Sequence, residues 1–139
     1  SKLTSLLDCK EEQLEIFQVL RYKKGQEFKP HTDGFEGPVT AAGFENSGRL
    51  ITIFIYLNDV RQGGHTYFPE LSFSVAPKQG SAIIHFPSTE NLEEDKRTIH
   101  QGKPAIDEKW LLTTWVWKHE RTDERYAEMR LPKLSEDII

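Results

Sequence analysis

The feature that most constrains this fold is a run of alternating side chains at residues 49–57, in which β-branched and aromatic residues predominate. Successive side chains of a β-strand point to opposite faces of the sheet, and residues of these types favour strands. One face of the run would carry Leu50, Thr52, Phe54 and Tyr56, and the other Ile51, Ile53, Ile55 and Leu57. Because both faces are largely apolar, we predict a strand in the centre of its sheet.

Further alternating segments indicate that the rest of the chain is also built from strands. A second long strand is predicted at 109–117, and a strand covered on both faces at 14–22. Shorter extended segments are predicted at 28–31, 66–68, 72–76 and 81–86 and before His100, with turn residues between them. Several short strands with turn signals are typical of an all-β sandwich or barrel. We therefore expect an all-β, cupin-like jelly roll with short helical segments at its flanks.

The length and the net charge of the chain restrict the classes of protein to which it can belong. A chain of 139 residues is long enough for one domain with its own core. We expect this domain at 1–120, followed by a charged tail at 121–139 with room for one short helix broken at Pro132. The 18 basic and 22 acidic residues give a formal charge of −4, which argues against a general binder of nucleic acid or of anionic membranes. Cys9 is the only cysteine, so no intrachain disulfide can form.

The sequence shows no pattern typical of membrane insertion or export. It has no run of 18 apolar residues, and its first residues lack a signal-peptide pattern. It begins at Ser1 without a methionine, which suggests a processed or trimmed product. We expect a soluble protein, with the cytoplasm favoured, whereas its oligomeric state does not follow from the sequence.

His31, Asp33 and His100 form a candidate metal site. His31 and Asp33 lie two residues apart on an extended segment, so their side chains project to the same side, and His100 is the best candidate for a third ligand. Two histidines and one carboxylate, with the other positions open, are the ligand set of non-haem Fe(II) oxygenases. The alternatives are a chance His-x-Asp sequence and a zinc site, because zinc accepts the same ligand types.

Lys109 is a candidate for binding an anion beside that site. It shares a strand face with Thr113 and Trp115, and an ammonium group buried among large side chains needs a partner because an unpaired buried charge is costly. A 2-oxo acid can bind a metal through its carboxylate and keto oxygen, and a second carboxylate at its other end would pair with Lys109. The alternative is that the lysine extends to the surface.

Two loops and three further histidines are expected to have other roles. The segment 34–48 contains four glycines and little periodicity, which predicts a mobile flap over the metal site or, alternatively, plain disorder. The acidic residues at 90–95 are expected to form a solvated loop or to receive a basic peptide. His65, His85 and His119 are expected to be structural or exposed rather than metal ligands.

Several motifs occur in a fixed order between about residues 14 and 120. They are Leu20-Arg21-Tyr22, Gly25-Gln26, His31-Thr32-Asp33, Gly63-Gly64-His65-Thr66-Tyr67-Phe68-Pro69-Glu70, Pro77-Lys78-Gln79-Gly80, His100 and Lys109-Trp110. In this order and spacing they resemble the prolyl 4-hydroxylase family of Fe(II)- and 2-oxoglutarate-dependent dioxygenases. The resemblance implies a double-stranded β-helix that hydroxylates a prolyl residue in a peptide or protein, with O2 as a cosubstrate and ascorbate as a further cofactor.

The resemblance also assigns roles to individual residues. Iron would be bound by the three candidate ligands, His31, Asp33 and His100. The distal carboxylate of 2-oxoglutarate would bind in a pocket formed by Lys109, Thr66, Tyr22 and Tyr56. Arg49 and Trp115 would lie near the peptidyl-proline site, with a surface arginine and a core tryptophan as the alternatives.

The sequence also departs from the family pattern. The position of Phe28 is usually a tyrosine and that of Trp117 often a histidine, so two polar contacts are expected to be missing, and family members have more chain before the matching region. Asp33 argues against the related halogenases, which lack this carboxylate. The remaining alternatives are the same chemistry on another side chain, a free amino acid or a small molecule, a catalytically silent peptide-binding β-sandwich, and a zinc hydrolase in which Lys109 would have no role.

Overall fold

The computed structural model describes residues 2–34 and 48–121. In this part of the chain one short helix, α1 (Lys2–Leu7), precedes eight strands. The strands are β1 (Gln18–Tyr22), β2 (Phe28–His31), β3 (Arg49–Tyr56), β4 (Thr66–Phe68), β5 (Phe73–Val75), β6 (Ala82–His85), β7 (His100–Gly102) and β8 (Lys109–Trp117). Single 3-10 turns lie at Glu11–Gln13, Pro69–Leu71 and Lys96–Thr98.

The eight strands form two antiparallel sheets of four strands each. The first sheet has the order β1-β8-β3-β6 and the second the order β2-β7-β4-β5. The long strands β3 and β8 pair with each other in the centre of the first sheet, as expected for segments that are apolar on both faces. Residues of both sheets line one cavity. The predicted all-β jelly-roll core is therefore confirmed.

Most predicted strands are confirmed with the predicted bounds or with bounds that differ by a residue at an end. The strand expected before His100 is wrong in position: β7 begins at His100, because a 3-10 turn occupies Lys96–Thr98. The prediction for 14–22 is wrong in length, because the strand begins only at Gln18 and Leu14 makes an isolated bridge to Val116. It is also wrong in burial, since Val19 is 56% exposed. The physical reason is that β1 is the edge strand of its sheet. The sequence pattern also missed α1, which precedes it.

The apolar core of the first sheet lies on the face that points away from the cavity. Leu14, Ile53 and Val116 are buried together there. Leu3 and Leu7 pack against them from the N-terminal segment, so α1 contributes to burial although it is only six residues long. Burial of apolar side chains of this size is the main source of stability in a small domain.

The face of the first sheet that points toward the cavity is also buried, but buried polar side chains lie among its apolar residues. Thr52, Tyr56, Lys109 and Thr113 are each no more than 1% exposed, although they alternate with the apolar residues of the opposite face. Buried polar groups are stable only where they have partners. The buried polar groups of the inner face therefore make it the candidate location for a ligand site.

Two predictions fall on parts of the chain outside the described ranges. The proposed flap covers 34–48, of which 35–47 lie outside, and the proposed tail helix lies within 122–139. Among the described residues, no helix has the length and the apolar character needed to cross a membrane.

Candidate metal centre and adjoining cavity

The three candidate ligands, called the triad below, meet at the junction of β2 and β7. His31 ends β2 and His100 begins β7, and the two are paired across the strands. Asp33 follows β2 by two residues, and its Oδ1 atom lies 3.9 Å from Nε2 of His31 and 4.0 Å from Nε2 of His100. The three candidate ligand atoms all lie within 4.8 Å of one another. One ion could therefore contact all three.

Both histidines direct their Nε2 atoms to this point. Nδ1 of His31 lies 2.8 Å from the carbonyl oxygen of Lys29, and Nδ1 of His100 lies 3.0 Å from that of Thr98. Because a carbonyl oxygen only accepts hydrogen bonds, each Nδ1 must carry the proton and donate it. This leaves the Nε2 lone pairs for a metal, which is the usual arrangement of ligating histidines.

Burial keeps His100 neutral. It lowers the pKa of His100 to about 4, because the charged imidazolium is poorly solvated there; the Asp33 carboxylate partly opposes this shift, and His31 and His85 add to it. At neutral pH the ring is therefore available as a ligand without first losing a proton.

Asp33 is a buried carboxylate whose two oxygens have different neighbours. Oδ1 faces the two histidines, whereas Oδ2 accepts a hydrogen bond of 2.8 Å from the hydroxyl of Thr52 and lies 3.2 Å from Nε2 of His85. Burial alone would raise the pKa of Asp33, but the interaction with His85, the nearby His100 and the bond from Thr52 outweigh burial and hold the pKa well below its ordinary value. The group is therefore ionised, as a metal ligand must be.

Lys109 lies at another part of the same cavity with its side chain fully enclosed. It is 1% exposed, its Nζ donates a hydrogen bond of 2.9 Å to the carbonyl of Gly64, and it lies 4.2 Å from the ring centre of Tyr22. Burial lowers its pKa to about 8, so most of it is still charged at neutral pH. Among the described residues, none of the ion pairs involves Lys109. An anionic ligand would complete its surroundings.

The carbonyl that holds Lys109 depends on two consecutive glycines. Gly63 and Gly64 have φ values of +73° and +66°, in the left-handed region that other residues rarely adopt. A Cβ atom at Gly63 would lie 2.5 Å from the carbonyl oxygen of Pro104, and one at Gly64 would lie 3.3 Å from Cδ of Lys109. The Gly-Gly sequence is therefore required by the close approach of this turn to the lysine.

One cavity of about 370 Å³ joins the triad to Lys109. Its lining includes the further predicted residues Tyr22, Thr66, Arg49 and Trp115. Tyr56 is placed differently: it is fully buried and is not among the lining residues of the described chain, but its hydroxyl lies 2.6 Å from that of Thr66. The structure thus brings together all the residues singled out from the sequence, with Tyr56 supporting Thr66 from behind.

Arg49 is neither a surface residue nor free to move. Its Nε and Nη2 atoms donate to the two carboxylate oxygens of Glu15 at 2.6 and 2.8 Å, and its Nη1 donates to the carbonyl of Asp33 at 2.9 Å. The guanidinium group also lies 3.8 Å from the ring centre of Trp115. Glu15 accepts a further bond from Nε1 of Trp117. Arg49 therefore fixes the main chain at a metal ligand while it forms part of the cavity wall.

Sequence reasoning missed two buried residues of this centre, Glu15 and His85. Each is 9% exposed or less. Alternation placed Glu15 on one face of the strand predicted at 14–22, but its role depends on the contact with Arg49 of β3, which alternation does not specify. His85 was taken as structural or exposed because its proximity to Asp33 depends on the pairing of β6 with β3, which the sequence does not specify.

Comparison with known proteins shows to which family this chain belongs. Residues 17–117 match the family model of the 2OG-Fe(II) oxygenase superfamily. The chain is 30% identical over 158 residues to probable prolyl 4-hydroxylase 7 of Arabidopsis thaliana, covering 99% of this chain and 48% of the relative. It is 33% identical over 111 residues to prolyl 4-hydroxylase subunit alpha-2 of Gallus gallus, covering 79% of this chain and 20% of the relative. The chain thus spans about half or less of the length of these relatives.

Solved structures agree with the sequence comparison. The viral collagen prolyl hydroxylase of Paramecium Bursaria Chlorella virus-1, in its 2OG complex, matches with a TM-score of 0.70 and 29% identity over 85% of this chain and 69% of that chain. A prolyl-4-hydroxylase of Pseudomonas putida matches with a TM-score of 0.56 and 22% identity over 81% of this chain and 57% of that chain, which shows the shared fold. The chain therefore belongs to the 2OG-Fe(II) oxygenase superfamily, and the relatives that it resembles within it are prolyl 4-hydroxylases.

Proposed function

We propose that this protein is an Fe(II)- and 2-oxoglutarate-dependent dioxygenase that hydroxylates a prolyl residue in a peptide or protein. The observation that carries the proposal is that the triad and the buried, charged Lys109 line one cavity. A metal site alone would fit a hydrolase. A buried cation in the same cavity as the metal site calls for a cosubstrate with two anionic ends, as 2-oxoglutarate has.

The triad has the donor set and protonation states that Fe(II) requires. Two imidazoles and one ionised carboxylate, with no further ligand among the described residues, leave positions open for other molecules. When bound, iron would supply the O2 chemistry that couples decarboxylation of 2-oxoglutarate to hydroxylation. The protein itself holds the ligands rigid through Lys29, Thr98 and Thr52.

Lys109 would bind the distal carboxylate of 2-oxoglutarate and orient the cosubstrate. Its desolvated ammonium already donates to the neutral carbonyl of Gly64, and a carboxylate would add a hydrogen bond between opposite charges, which favours a dicarboxylate as the cosubstrate. Thr66 lines the same cavity with its hydroxyl held by Tyr56, which keeps a donor directed at the carboxylate. The ring of Tyr22 covers the lysine and excludes water from it.

Two further side chains favour a substrate with polar main-chain groups. The hydroxyl of Thr113 and Nε1 of Trp115 are buried, line the cavity wall, and have no hydrogen-bond partner within the described ranges 2–34 and 48–121. Buried donors of this kind are normally satisfied, and a peptide carbonyl would satisfy them. The relatives are prolyl hydroxylases by name, which favours proline as the reacting residue. Arg49 would keep Trp115 in place.

The test is consumption of 2-oxoglutarate with Fe(II) and ascorbate, measured against a panel of proline-containing peptides. The matched control for each peptide carries alanine in place of proline. We expect turnover and the gain of one oxygen atom on proline with the first peptide of a pair but not with the second. Turnover that is equal with both peptides would indicate a different substrate, and a chain that binds neither Fe(II) nor 2-oxoglutarate would be a silent binding module.

A further inference from the structure

His85 reaches the metal ligand Asp33 from the side away from the cavity. It lies on β6 directly opposite Thr52 on β3, so the two side chains project to the same face of the sheet. Both approach the same oxygen, Oδ2 of Asp33, at 2.8 Å from the hydroxyl of Thr52 and 3.2 Å from Nε2 of His85. The hydroxyl of Thr52 donates a hydrogen bond to this oxygen, whereas Nε2 of His85 makes a close polar contact with it that lies outside hydrogen-bond geometry within the described ranges.

The surroundings of His85 suit an apolar side chain better than an imidazole. The residue is 9% exposed, and its ring packs against Phe54, Phe68 and His100 at centre-to-centre distances of 5.6, 5.5 and 5.0 Å. Both ring nitrogens are buried and have no hydrogen-bond partner in the described part of the chain. A phenylalanine would fill this space without leaving a polar atom unsatisfied. The contact with Asp33 is therefore the feature that only a histidine supplies here.

His85 is not placed to be a ligand itself. It does not line the cavity, and among the described residues it does not belong to the group whose donor atoms lie within 4.8 Å of one another. Any effect on a metal must pass through the candidate ligands that His85 contacts, Asp33 by its polar contact and His100 by ring packing.

We propose that His85 is a positioning residue, which together with Thr52 restrains Oδ2 of Asp33 so that Oδ1 alone faces the metal. This inference rests on the proposed metal site. A carboxylate without such restraint can rotate about its last bond and offer both oxygens to one ion, which would occupy a position that the cosubstrate needs. The partners of ligating carboxylates influence metal binding in the same way as those of ligating histidines.

The experiment compares three substitutions at His85. Gln keeps an N–H donor near the position of Nε2, Met has a similar length without a donor, and Phe keeps a ring against Phe54 and Phe68 without a donor. The dissociation constant for Co(II) is measured by anaerobic titration, the visible spectrum of the Co(II) complex reports its coordination, and thermal unfolding reports the fold.

We expect His85→Met and His85→Phe to weaken Co(II) binding about 10- to 100-fold, the usual effect of removing such a partner, and to change the visible spectrum. His85→Gln should stay within a few-fold of the wild type and keep its spectrum. His65→Met is the matched control, because His65 lies on the turn before β4 and contacts no member of the triad among the described interactions. It should bind Co(II) as the wild type does.

If His85→Met binds Co(II) as tightly as the wild type and its spectrum is unchanged, the inference about His85 is wrong, but the proposed metal site is not affected. Equal weakening by Met and Gln in folded proteins would overturn it too, because the loss would then follow from packing. If the wild type binds no Co(II), the metal site fails and the inference fails with it. If Phe at this position prevents folding, the comparison of Met with Gln decides.

Discussion

Replacement of Lys109 by methionine should make the protein more stable in the absence of ligand and less able to bind 2-oxoglutarate. The side chains have similar length, and methionine is well tolerated in packed surroundings. Lys109 is 1% exposed and its only hydrogen bond among the described contacts is to the neutral carbonyl of Gly64. The wild-type protein therefore carries a buried charge that the fold itself does not need.

The size of the stability gain follows from the environment of the lysine. Burial lowers the pKa of Lys109 from 10.5 to about 8, and a difference of this size disfavours the charged form by roughly 3 kcal/mol below pH 8. The substitution also leaves the carbonyl of Gly64 without its donor, at a cost of about 1–2 kcal/mol. The free energy of unfolding at pH 7 should thus rise by about 1–2 kcal/mol in Lys109→Met.

The pH dependence gives this prediction a second, independent signature. Between about pH 8 and 10.5 the lysine is already neutral in the folded protein but still charged in the unfolded chain. The unfolded state then binds more protons, so the stability of the wild type rises with pH across this window relative to that of Lys109→Met. The advantage of about 1–2 kcal/mol of Lys109→Met should therefore vanish and then reverse as the pH increases from 8 to 10.5, because the wild type gains roughly 3 kcal/mol across this window.

Binding of 2-oxoglutarate should change in the opposite direction. Charge-assisted hydrogen bonds contribute about 1.5–3 kcal/mol, so Lys109→Met should weaken binding by roughly tenfold to a few hundredfold. Lys109→Arg should lose less, because it keeps the charge but not the geometry of a point ammonium. Wild-type affinity should itself fall above about pH 8, since the neutral amine no longer attracts the carboxylate.

Urea unfolding over this pH range and calorimetric titration of 2-oxoglutarate measure the two effects. Lys24→Met is the control, because Lys24 is exposed in a turn and its loss should change neither quantity. A Lys109→Met protein with lower stability than the wild type and unchanged 2-oxoglutarate affinity would refute the reasoning, since the lysine would then be a structural residue.

Three further predictions concern the metal ligands, the buried ion pair and the glycine turn. Alanine at any position of the triad should abolish turnover and metal binding, whereas His65→Ala should retain most of its metal when the metal content is measured. A residue of the triad whose alanine variant keeps wild-type turnover would not be a ligand. Arg49→Met should lower the free energy of unfolding by about 3–5 kcal/mol because Glu15 stays buried without its cation, and a loss below about 1 kcal/mol in urea would contradict this estimate. Gly63→Ala should lose more stability than Gly25→Ala, because both glycines have a positive φ but only a Cβ atom at Gly63 would lie 2.5 Å from a backbone oxygen. Equal shifts in Tm would show that the positive φ alone determines the loss of stability.

The elements predicted well from sequence are those whose pattern is local. Both long strands show side-chain alternation over eight or nine residues, which is enough to fix their position and faces. The segment before Gln18 also alternates, but whether it pairs depends on the neighbouring strand rather than on its own residues. In the structure Leu14 makes an isolated bridge to Val116 there. The main chain of Glu15 bonds to Trp115 and to the hydroxyl of Thr114, but no regular strand forms before Gln18.

The residues of the candidate site also differ in whether a local pattern in the sequence identifies them. His31 and Asp33 are close in sequence, so their common direction could be inferred from strand geometry alone. His100 and Lys109 required a chemical argument about which ligands complete a metal site and which cation balances a dicarboxylate. His85 and Glu15 have no such signal, because their significance lies in contacts across strands that the sequence does not specify.

The pairing register of β3 with β8 links the stability of this fold to its chemistry. Ile53 on β3 and Val116 on β8 belong to the apolar core, and their neighbours Thr52 and Trp115, which pair with each other, face the cavity side. Since side chains alternate strictly, a shift of β3 by one residue would bury Thr52 in the apolar core and move its hydroxyl away from Asp33. Hydrophobic burial on one face of the sheet therefore holds the hydrogen bond of Thr52 to Asp33 on the other.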